Sequence, residues 1–493
     1  MSSYLRNMWA MVGLSTVQRM LGMVSTIVLA RLLGSASFGI YSLVVNTSAS
    51  AYGMVRFGVD AAIHVHTAQH SDDLETRTRK GQLLGIGLVL LSAGGIVGGA
   101  LCILGASWLS KTIYGQPALA QWIRWAGILV LAQCLSQFCY ALLAGLHHFQ
   151  AYSKLMMAMS LLSLVVTSLT SIMSGLRGAL AGFIAVQLVT LIGLSIISRS
   201  VLGSEYIKLS LVKMRSGLKS IIETGMPFYL AGLVSVPTVY IVQGFLVQGA
   251  AVEQIGGLRI ISSIITLISF LPNSVAAVMI SHFTRISTHD YAAFMDSMLL
   301  NLKIIWLFSL AACAAVMVVL PLVVDLMFGA QYMRFVPAAY VAMISAVFAL
   351  IMGVIGNIAF SRNKVLFILR FTCIQMLTFV GVAYLTISKY ALIGYYTAEL
   401  AGYFSGLISI WLMTLPWRKR HQIAASWVNK LVCLTAVFVV LGVMNSFYLN
   451  EVLRITFGIC VLTFIVLVGY QAILSQDEKK ILIAKLNFIH YKS

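Results

Sequence analysis

Long apolar runs recur along the whole chain and are separated by short polar segments. A run of about 20 apolar residues in a helix crosses the roughly 30 Å hydrocarbon core of a bilayer. The runs lack the two-residue alternation of a membrane β-strand, and a helix satisfies its own backbone hydrogen bonds in lipid. The pattern therefore predicts an all-α, polytopic membrane protein with about 14 transmembrane helices. The predicted spans lie near 8–30, 39–60, 82–107, 121–145, 153–174, 178–198, 220–247, 256–279, 299–324, 335–358, 365–388, 391–415, 431–449 and 453–474.

The first twelve predicted spans consist of one six-span unit used twice. "IYGQPALAQWIRWAGIL" (113–129) precedes the fourth span, and "MFGAQYMRFVPAAYVAMI" (327–344) precedes the tenth. Each segment has an aromatic-Gly pair, a short turn and then a new helix. Because six is even, both units enter the membrane in the same orientation, which indicates a parallel repeat about an axis along the bilayer normal. We therefore expect two six-helix lobes around a central cavity, followed by two C-terminal helices.

Basic segments divide this repeat into parts. The predicted N-lobe is 1–198, a cytoplasmic linker covers 199–219, and the C-lobe covers 220–415. The segment 416–493 contains the last two helices and a basic tail.

The charge distribution sets the expected orientation. Only 10% of the 493 residues are charged and 60% are hydrophobic, yet the net charge is +19 from 33 basic and 14 acidic residues. The bases cluster in the loops on the N-terminal side, so the positive-inside rule places both termini in the cytoplasm. These Lys and Arg residues border membrane spans, where they can bind the headgroups of anionic membrane lipids. We therefore expect no nucleic-acid partner. All seven cysteines lie inside predicted spans, where they suit packing and not disulfides or metal binding.

Four basic residues inside the predicted spans are candidates for binding a cargo. They are Arg19, Arg56, Arg259 and Lys303. A charge in hydrocarbon is costly, so such residues are kept mainly where they face a wet path and meet an ion of opposite charge. They indicate a transporter with an anionic cargo. For Arg56, Arg259 and Lys303 the alternative is snorkelling to a nearby interface.

Three carboxylates also lie within or beside spans, namely Asp60, Glu223 and Glu399. They either pair with the cations or bind a coupling proton or sodium ion. Pro227 and Pro237 share the seventh span, where they act as hinges for alternating access or as kinks that improve packing.

Cofactor and metal motifs are not found in the sequence. There is no GxxxxGK[ST] phosphate loop, so ATP hydrolysis is not expected. His64, His66 and His70 lack supporting Cys or carboxylate ligands, and we predict no metal site and no cofactor.

The segment "ARLLGSASFGIY" (30–41) resembles the start of bacterial polysaccharide and O-antigen flippases. Those proteins belong to the multidrug, oligosaccharidyl-lipid and polysaccharide (MOP) exporter superfamily. The resemblance implies a flippase that moves undecaprenyl-diphosphate-linked glycan units from the cytoplasmic to the periplasmic leaflet of the bacterial inner membrane, in O-antigen or other lipopolysaccharide biosynthesis. Implied partners are this lipid-linked oligosaccharide, membrane lipids, a polysaccharide polymerase and a chain-length regulator. In the related lipid II flippase, cavity arginines lie on the first, second and eighth helices, as Arg19, Arg56 and Arg259 do here.

Two other functions compete with this interpretation. One is a proton- or sodium-coupled drug or metabolite antiporter of the same superfamily, which commonly needs a membrane carboxylate; the first span here has Arg19 instead. The other is a membrane glycan polymerase or ligase. Such an enzyme usually has a large outer loop or a DxD pair, and this chain has neither, so no catalytic residue is predicted.

Overall fold

The computed structural model describes residues 2–67, 74–146, 148–212, 214–287, 291–361, 365–414, 432–440, 462–464 and 467. Within these ranges the chain is helical almost throughout and contains no strand. The helices are α1 (Ser2–Val55), α2 (Val59–Thr67), α3 (Leu74–Trp108), α4 (Ala120–Gly145), α5 (Phe149–Ser204), α6 (Met214–Gly249), α7 (Glu253–Ser287), α8 (Tyr291–Phe328), α9 (Val336–Ser361) and α10 (Val365–Met413).

Nine helical stretches in the described part of the chain are long and apolar enough to cross a membrane. Three of them contain a sharp break: α1 at Gly34, α5 at Ser174 and Gly175, and α10 at Ala391. With these breaks the helices correspond to the first twelve predicted spans. Of the last two predicted spans, 432–440 is helical, and most of the rest lies outside the described residues, so the total of 14 stays a prediction.

The turns between helices recur at the spacing that the sequence repeat predicts. A residue with positive φ stands at equivalent turns of the two halves, 214 to 217 residues apart. The pairs are Gly34 with Ala251, Gly115 with Gly329, and Gly175 with Ala391. After Gly115 and after Gly329 the chain forms a short 3₁₀ turn, Pro117–Leu119 and Ala330–Phe335, before the next long helix begins. The recurrence supports a fold built from two similar six-helix repeats.

The contacts between residues divide the chain into two compact units. The first contains 1–263 with 387–391, and the second contains 264–386 with 392–493. The first unit therefore includes α6, which the sequence interpretation assigned to the C-lobe. Inside it the Gln248 side chain of α6 donates hydrogen bonds to the carbonyl oxygens of Thr112 and Ile113, at 2.9 and 2.7 Å. The predicted lobe boundaries at 198 and 220 stay a prediction.

Glycines allow α3 to pack closely against its neighbours in the first unit. A Cβ at Gly94 would lie 2.6 Å from the Val55 carbonyl oxygen of α1. One at Gly99 would lie 2.7 Å from the carbonyl oxygen of Gly127 on α4, and one at Gly127 would lie 2.6 Å from that of Gly99. The small residues in α3 are therefore explained by helix packing, as expected of small-xxx-small pairs in membranes.

The second unit is held by aromatic contacts. The rings of Phe348 on α9 and Phe404 on α10 lie 4.5 Å apart between centroids. The Trp306 indole of α8 donates a hydrogen bond of 3.1 Å to the Thr435 hydroxyl, which ties the helical stretch 432–440 to α8.

Two glycines of α3 allow a matched test of this packing. Gly99→Ala should destabilise the protein by about 1–3 kcal/mol, because the added methyl group meets the α4 backbone. Gly105→Ala should be neutral or stabilising by up to about 1 kcal/mol, because nothing lies within 4 Å of its Cβ position and alanine favours helix. The midpoints of thermal unfolding of the two purified variants measure both effects. Equal shifts would contradict close contact between α3 and α4.

Candidate functional site

The second predicted span is interrupted before its expected end. The span is predicted near 39–60, and in the structure α1 ends at Val55 and α2 begins at Val59. Phe57 and Gly58 have φ angles of 47° and 69°, which no α-helix contains. The Val59 amide then donates to the Arg56 carbonyl at 2.9 Å and closes the turn. Arg56 therefore lies at a helix break and not within a continuous helix.

An ion pair bridges this break. Arg56 Nη1 donates to Asp60 Oδ2 at 3.1 Å, and the Tyr52 hydroxyl donates to the same oxygen at 3.2 Å. The guanidinium carbon also lies 5.8 Å from the centre of the Tyr52 ring. The spacing of four residues between each pair of neighbours brings all three side chains to one face of the chain. We call Tyr52, Arg56 and Asp60 the charged triad.

The charged triad has hydrogen-bonding capacity that it does not use internally. The side chains of Arg56 and Asp60 are 35% and 15% exposed. Arg56 Nε and Asp60 Oδ1 are buried and have no hydrogen-bond partner within the described ranges. Buried polar atoms are normally paired, so the two orphan atoms indicate water or a polar ligand at this position. A guanidinium with remaining N–H groups offers a fork that matches phosphate oxygens.

Polar side chains of α4 and α5 lie near the charged triad. Gln133 of α4 donates to the Ser48 hydroxyl at 3.2 Å, and its own carbonyl oxygen is buried without a hydrogen-bond partner among the described residues. Tyr140 lies within electrostatic reach of Asp60 and packs on Tyr152 of α5, with 4.7 Å between ring centroids. These helices are otherwise apolar, so polar side chains are concentrated in this part of the first unit.

Helix α6 is fastened to the same break. A Cβ at Gly58 would lie 2.1 Å from the Gly225 carbonyl oxygen, so the two backbones touch. The Tyr229 hydroxyl donates to the Met54 carbonyl oxygen at 2.7 Å, and its ring lies 5.1 Å from that of Phe57. The guanidinium of Arg56 also approaches α6, since Nη2 lies 3.9 Å from the Cβ position of Gly232. Any ligand of Arg56 would therefore lie close to α6.

The remaining predicted cations are all half-buried. Arg19 lies on the first segment of α1, and Arg259 lies on α7 within electrostatic reach of Tyr41; both belong to the first unit. Lys303 lies on α8 in the second unit. Their roles in cargo binding stay predictions.

The other predicted acids and prolines have different surroundings. Glu223 is 65% exposed and pairs with Lys219 at 3.8 Å, at a surface where such a pair contributes little stability. Glu399 lies on α10 in the second unit, beside Ser345 and Tyr403. The α6 helix continues through Pro227 and Pro237. The coupling role of the acids and the hinge role of the prolines stay predictions.

The histidines do not form a metal site in the described part of the chain, where no group of three His, Cys, Asp or Glu residues has the required geometry. His66 Nε2 instead lies 3.0 Å from the Thr224 hydroxyl and 3.2 Å from the Ser220 hydroxyl of α6. His64 is exposed, and His70 lies outside the described residues.

Several solved structures share this fold. Lipid II flippase MurJ in an inward closed conformation matches with a TM-score of 0.70 and 14% identity, over 94% of this chain and 98% of that chain. A multidrug resistance MATE family transporter in an inward-facing conformation matches with a TM-score of 0.65 and 14% identity, over 84% and 100%. A MOP superfamily transporter from Pyrococcus furiosus matches with a TM-score of 0.56 and 16% identity, over 83% and 94%. The fold is therefore that of the MOP superfamily transporters.

Sequence comparison identifies the family. The family model described as a polysaccharide biosynthesis protein matches residues 4–287, which is more than half of the chain. The chain thus belongs to the polysaccharide biosynthesis protein family, and the predicted resemblance is confirmed. Comparison with curated proteins gives no significant match. Family and fold together define a multi-pass membrane protein of the polysaccharide biosynthesis protein family with the fold of MOP superfamily transporters.

The contact between His66 and α6 predicts a pH dependence of stability. Burial lowers the pKa of His66, and the nearby positive charge of Arg79 lowers it further. The unfolded chain then binds a proton near the ordinary pKa of about 6.5, whereas the folded chain binds it only at lower pH. The stability contributed by neutral His66 is therefore present above about pH 6.5 and is lost as the pH falls toward its lower folded pKa.

We expect the thermal midpoint of the parent protein to exceed that of His66→Gln at pH 8, and this advantage to shrink by pH 5.5. His64→Gln, on the exposed face of the same short helix, is the matched control and should show no comparable shrinkage. A difference between parent and His66→Gln that stays constant with pH would contradict the assignment.

Proposed function

We propose that this protein is a lipid-linked oligosaccharide flippase. It moves undecaprenyl-diphosphate-linked glycan repeat units from the cytoplasmic to the periplasmic leaflet by alternating access. Family membership supports a role in polysaccharide biosynthesis, and the fold shared with a lipid II flippase supports transport of a lipid-linked cargo. The single observation that carries the proposal is the charged triad, with Arg56 held by Asp60 at the helix break.

The chemistry of a diphosphate fits this triad. A diphosphate carries several charges and would meet a prohibitive barrier alone in hydrocarbon. Arg56 offers N–H groups in a fork, and Asp60 neutralises the guanidinium when no cargo is bound. A phosphate oxygen can reach the N–H groups of Arg56 that Asp60 does not use, so Asp60 keeps its cationic partner while the cargo is bound. The buried Nε of Arg56 then gains the partner that it lacks within the described residues.

The other predicted residues have supporting roles in this proposal. Arg19, Arg259 and Lys303 supply further positive charge along the path of the diphosphate. Pro227 and Pro237 allow α6 to bend during alternating access, and Glu399 is the membrane carboxylate suited to a coupling proton or sodium ion. No covalent step is needed, so the protein is not an enzyme in this proposal.

The energy source and cellular setting follow from the same chemistry. Cargo that carries negative charge outward gains about 2.3 kcal/mol per charge per 100 mV from a membrane potential that is negative inside. The protein would lie in the bacterial inner membrane with both termini in the cytoplasm. Its product would be delivered to a polysaccharide polymerase and a chain-length regulator on the periplasmic side.

Replacing Arg56 tests the proposal. In vesicles that contain the full chain, Arg56→Ala should slow the outward appearance of a polyprenyl-diphosphate oligosaccharide by about tenfold or more, because a charge-assisted hydrogen bond is lost. Arg56→Lys should give an intermediate rate, since it keeps the charge but not the fork. The measurement is the rate at which an added glycan-binding protein gains access to the cargo.

Two further variants separate function from stability. Arg56→Ala/Asp60→Asn removes both charges, so the protein keeps no unpaired carboxylate and should still transport slowly. Arg177→Ala changes an exposed arginine outside the charged triad and should keep the parent rate. A folded Arg56→Ala/Asp60→Asn protein that transports at the parent rate would refute the proposed cargo site.

A further inference from the structure

The segment that joins α5 to α6 is fixed on the surface of α3. Residues 207–211 have no helical structure, and Ile207 is buried in the first unit's core. The Ser210 amide donates to the Gly81 carbonyl oxygen at 3.1 Å. A Cβ at Gly81 or Gly85 would lie 2.1 or 2.5 Å from carbonyl oxygens of this segment, so its backbone lies directly on α3. The segment therefore has a definite inner face and a definite outer face.

Large apolar side chains cover the outer face of this segment. Between α5 and α6 the chain exposes Tyr206 (78%), Leu209 (42%), Leu211 (53%) and Val212 (62%), and the first residue of α6, Met214, is 47% exposed. Contiguous apolar surface of this kind is unfavourable in water and usually marks a binding surface.

Basic side chains are interleaved with these apolar groups. Lys208 and Arg215 are exposed on the segment and at the start of α6, and Lys219 is 77% exposed one turn further along. The adjoining first turns of α3 add Arg77, Arg79 and Lys80. Among the side chains that the structure describes, the nearby acids are Glu205 and Glu223, of which Glu223 pairs with Lys219. The surface is therefore apolar and positively charged at the same time.

We propose that residues 206–212, with Met214, Arg215 and Lys219, form an interfacial surface that binds anionic phospholipid. The apolar side chains enter the boundary between headgroups and acyl chains, and the basic side chains bind the headgroup phosphates. The segment connects two membrane-spanning helices at one end of the first unit and lies on the start of a third, so a bilayer surface is next to it. An anionic phospholipid supplies both the acyl chains that the apolar side chains need and the negative charge that the basic side chains need. This inference rests on the predicted cytoplasmic side of the segment and is independent of the cargo.

The test measures which lipids surround the segment. Val212→Cys in the full-length chain is labelled with an environment-sensitive fluorophore and reconstituted in phosphatidylcholine vesicles. Quencher is supplied either as spin-labelled phosphatidylglycerol or as spin-labelled phosphatidylcholine, with the nitroxide near the headgroup. We expect quenching by both lipids, weak quenching by aqueous iodide, and a clear excess of quenching by the anionic lipid. One basic residue at an anionic surface corresponds to about fivefold enrichment.

Charge variants identify the source of the excess. The two spin-labelled lipids should quench the fluorophore nearly equally in the triple variant Lys208→Gln/Arg215→Gln/Lys219→Gln. Lys111→Gln/Arg177→Gln/Lys389→Gln removes three exposed charges elsewhere and should keep the excess. The unsubstituted chain, carried through the same labelling, gives the background from native cysteines.

The proposal is overturned by quenching from iodide and not from lipid, by equal quenching from the two lipids in the parent, or by equal loss in the control variant. Because the readout is lipid proximity and not transport, these outcomes leave the flippase proposal untouched.

Discussion

The proposed cargo site depends on one physical constraint, which is charge compensation at the break between α1 and α2. A guanidinium among apolar helices needs an anionic partner, and here Asp60 supplies it from one turn away while Tyr52 holds the same carboxylate oxygen. The helix stops between Arg56 and Asp60, where Phe57 and Gly58 have positive φ angles. Close contact of Gly58 with Gly225 then joins this break to α6. A phosphate bound by Arg56 would thus lie close to α6.

The packing that surrounds the break explains how so polar a site is held in an apolar protein. Glycines of α3 allow the backbones of α1 and α4 to come close, which leaves little freedom for these helices to rotate. Two contacts hold α6 against this break. The Tyr229 hydroxyl of α6 donates to the Met54 carbonyl oxygen, and His66 of α2 contacts the hydroxyls of Ser220 and Thr224 on α6. These contacts of Tyr229 and His66 join segments that are more than 150 residues apart in the sequence.

The sequence predicted the class of fold and the repeat, because these depend on composition and on spacing along one chain. The positive-φ turns recur at the predicted offset, and Arg56 and Asp60 were both recognised as charges in an apolar setting. The break after Val55 was missed, since Gly58 was its only local sign. Tyr140 was missed as a neighbour of Asp60, because the face that α4 turns toward α2 is set by tertiary packing. Even so, the spacing of Tyr52, Arg56 and Asp60 would have been sufficient to find the triad.

The most direct measurement of the central claim is the leaflet in which undecaprenyl-linked oligosaccharide accumulates when cells are depleted of this protein. We expect the oligosaccharide to accumulate in the cytoplasmic leaflet, where a glycan-binding protein on the periplasmic side cannot reach it. Accumulation in the periplasmic leaflet would contradict it, because translocation would then proceed without this protein and a later polymerase or ligase step would be the one that is lost.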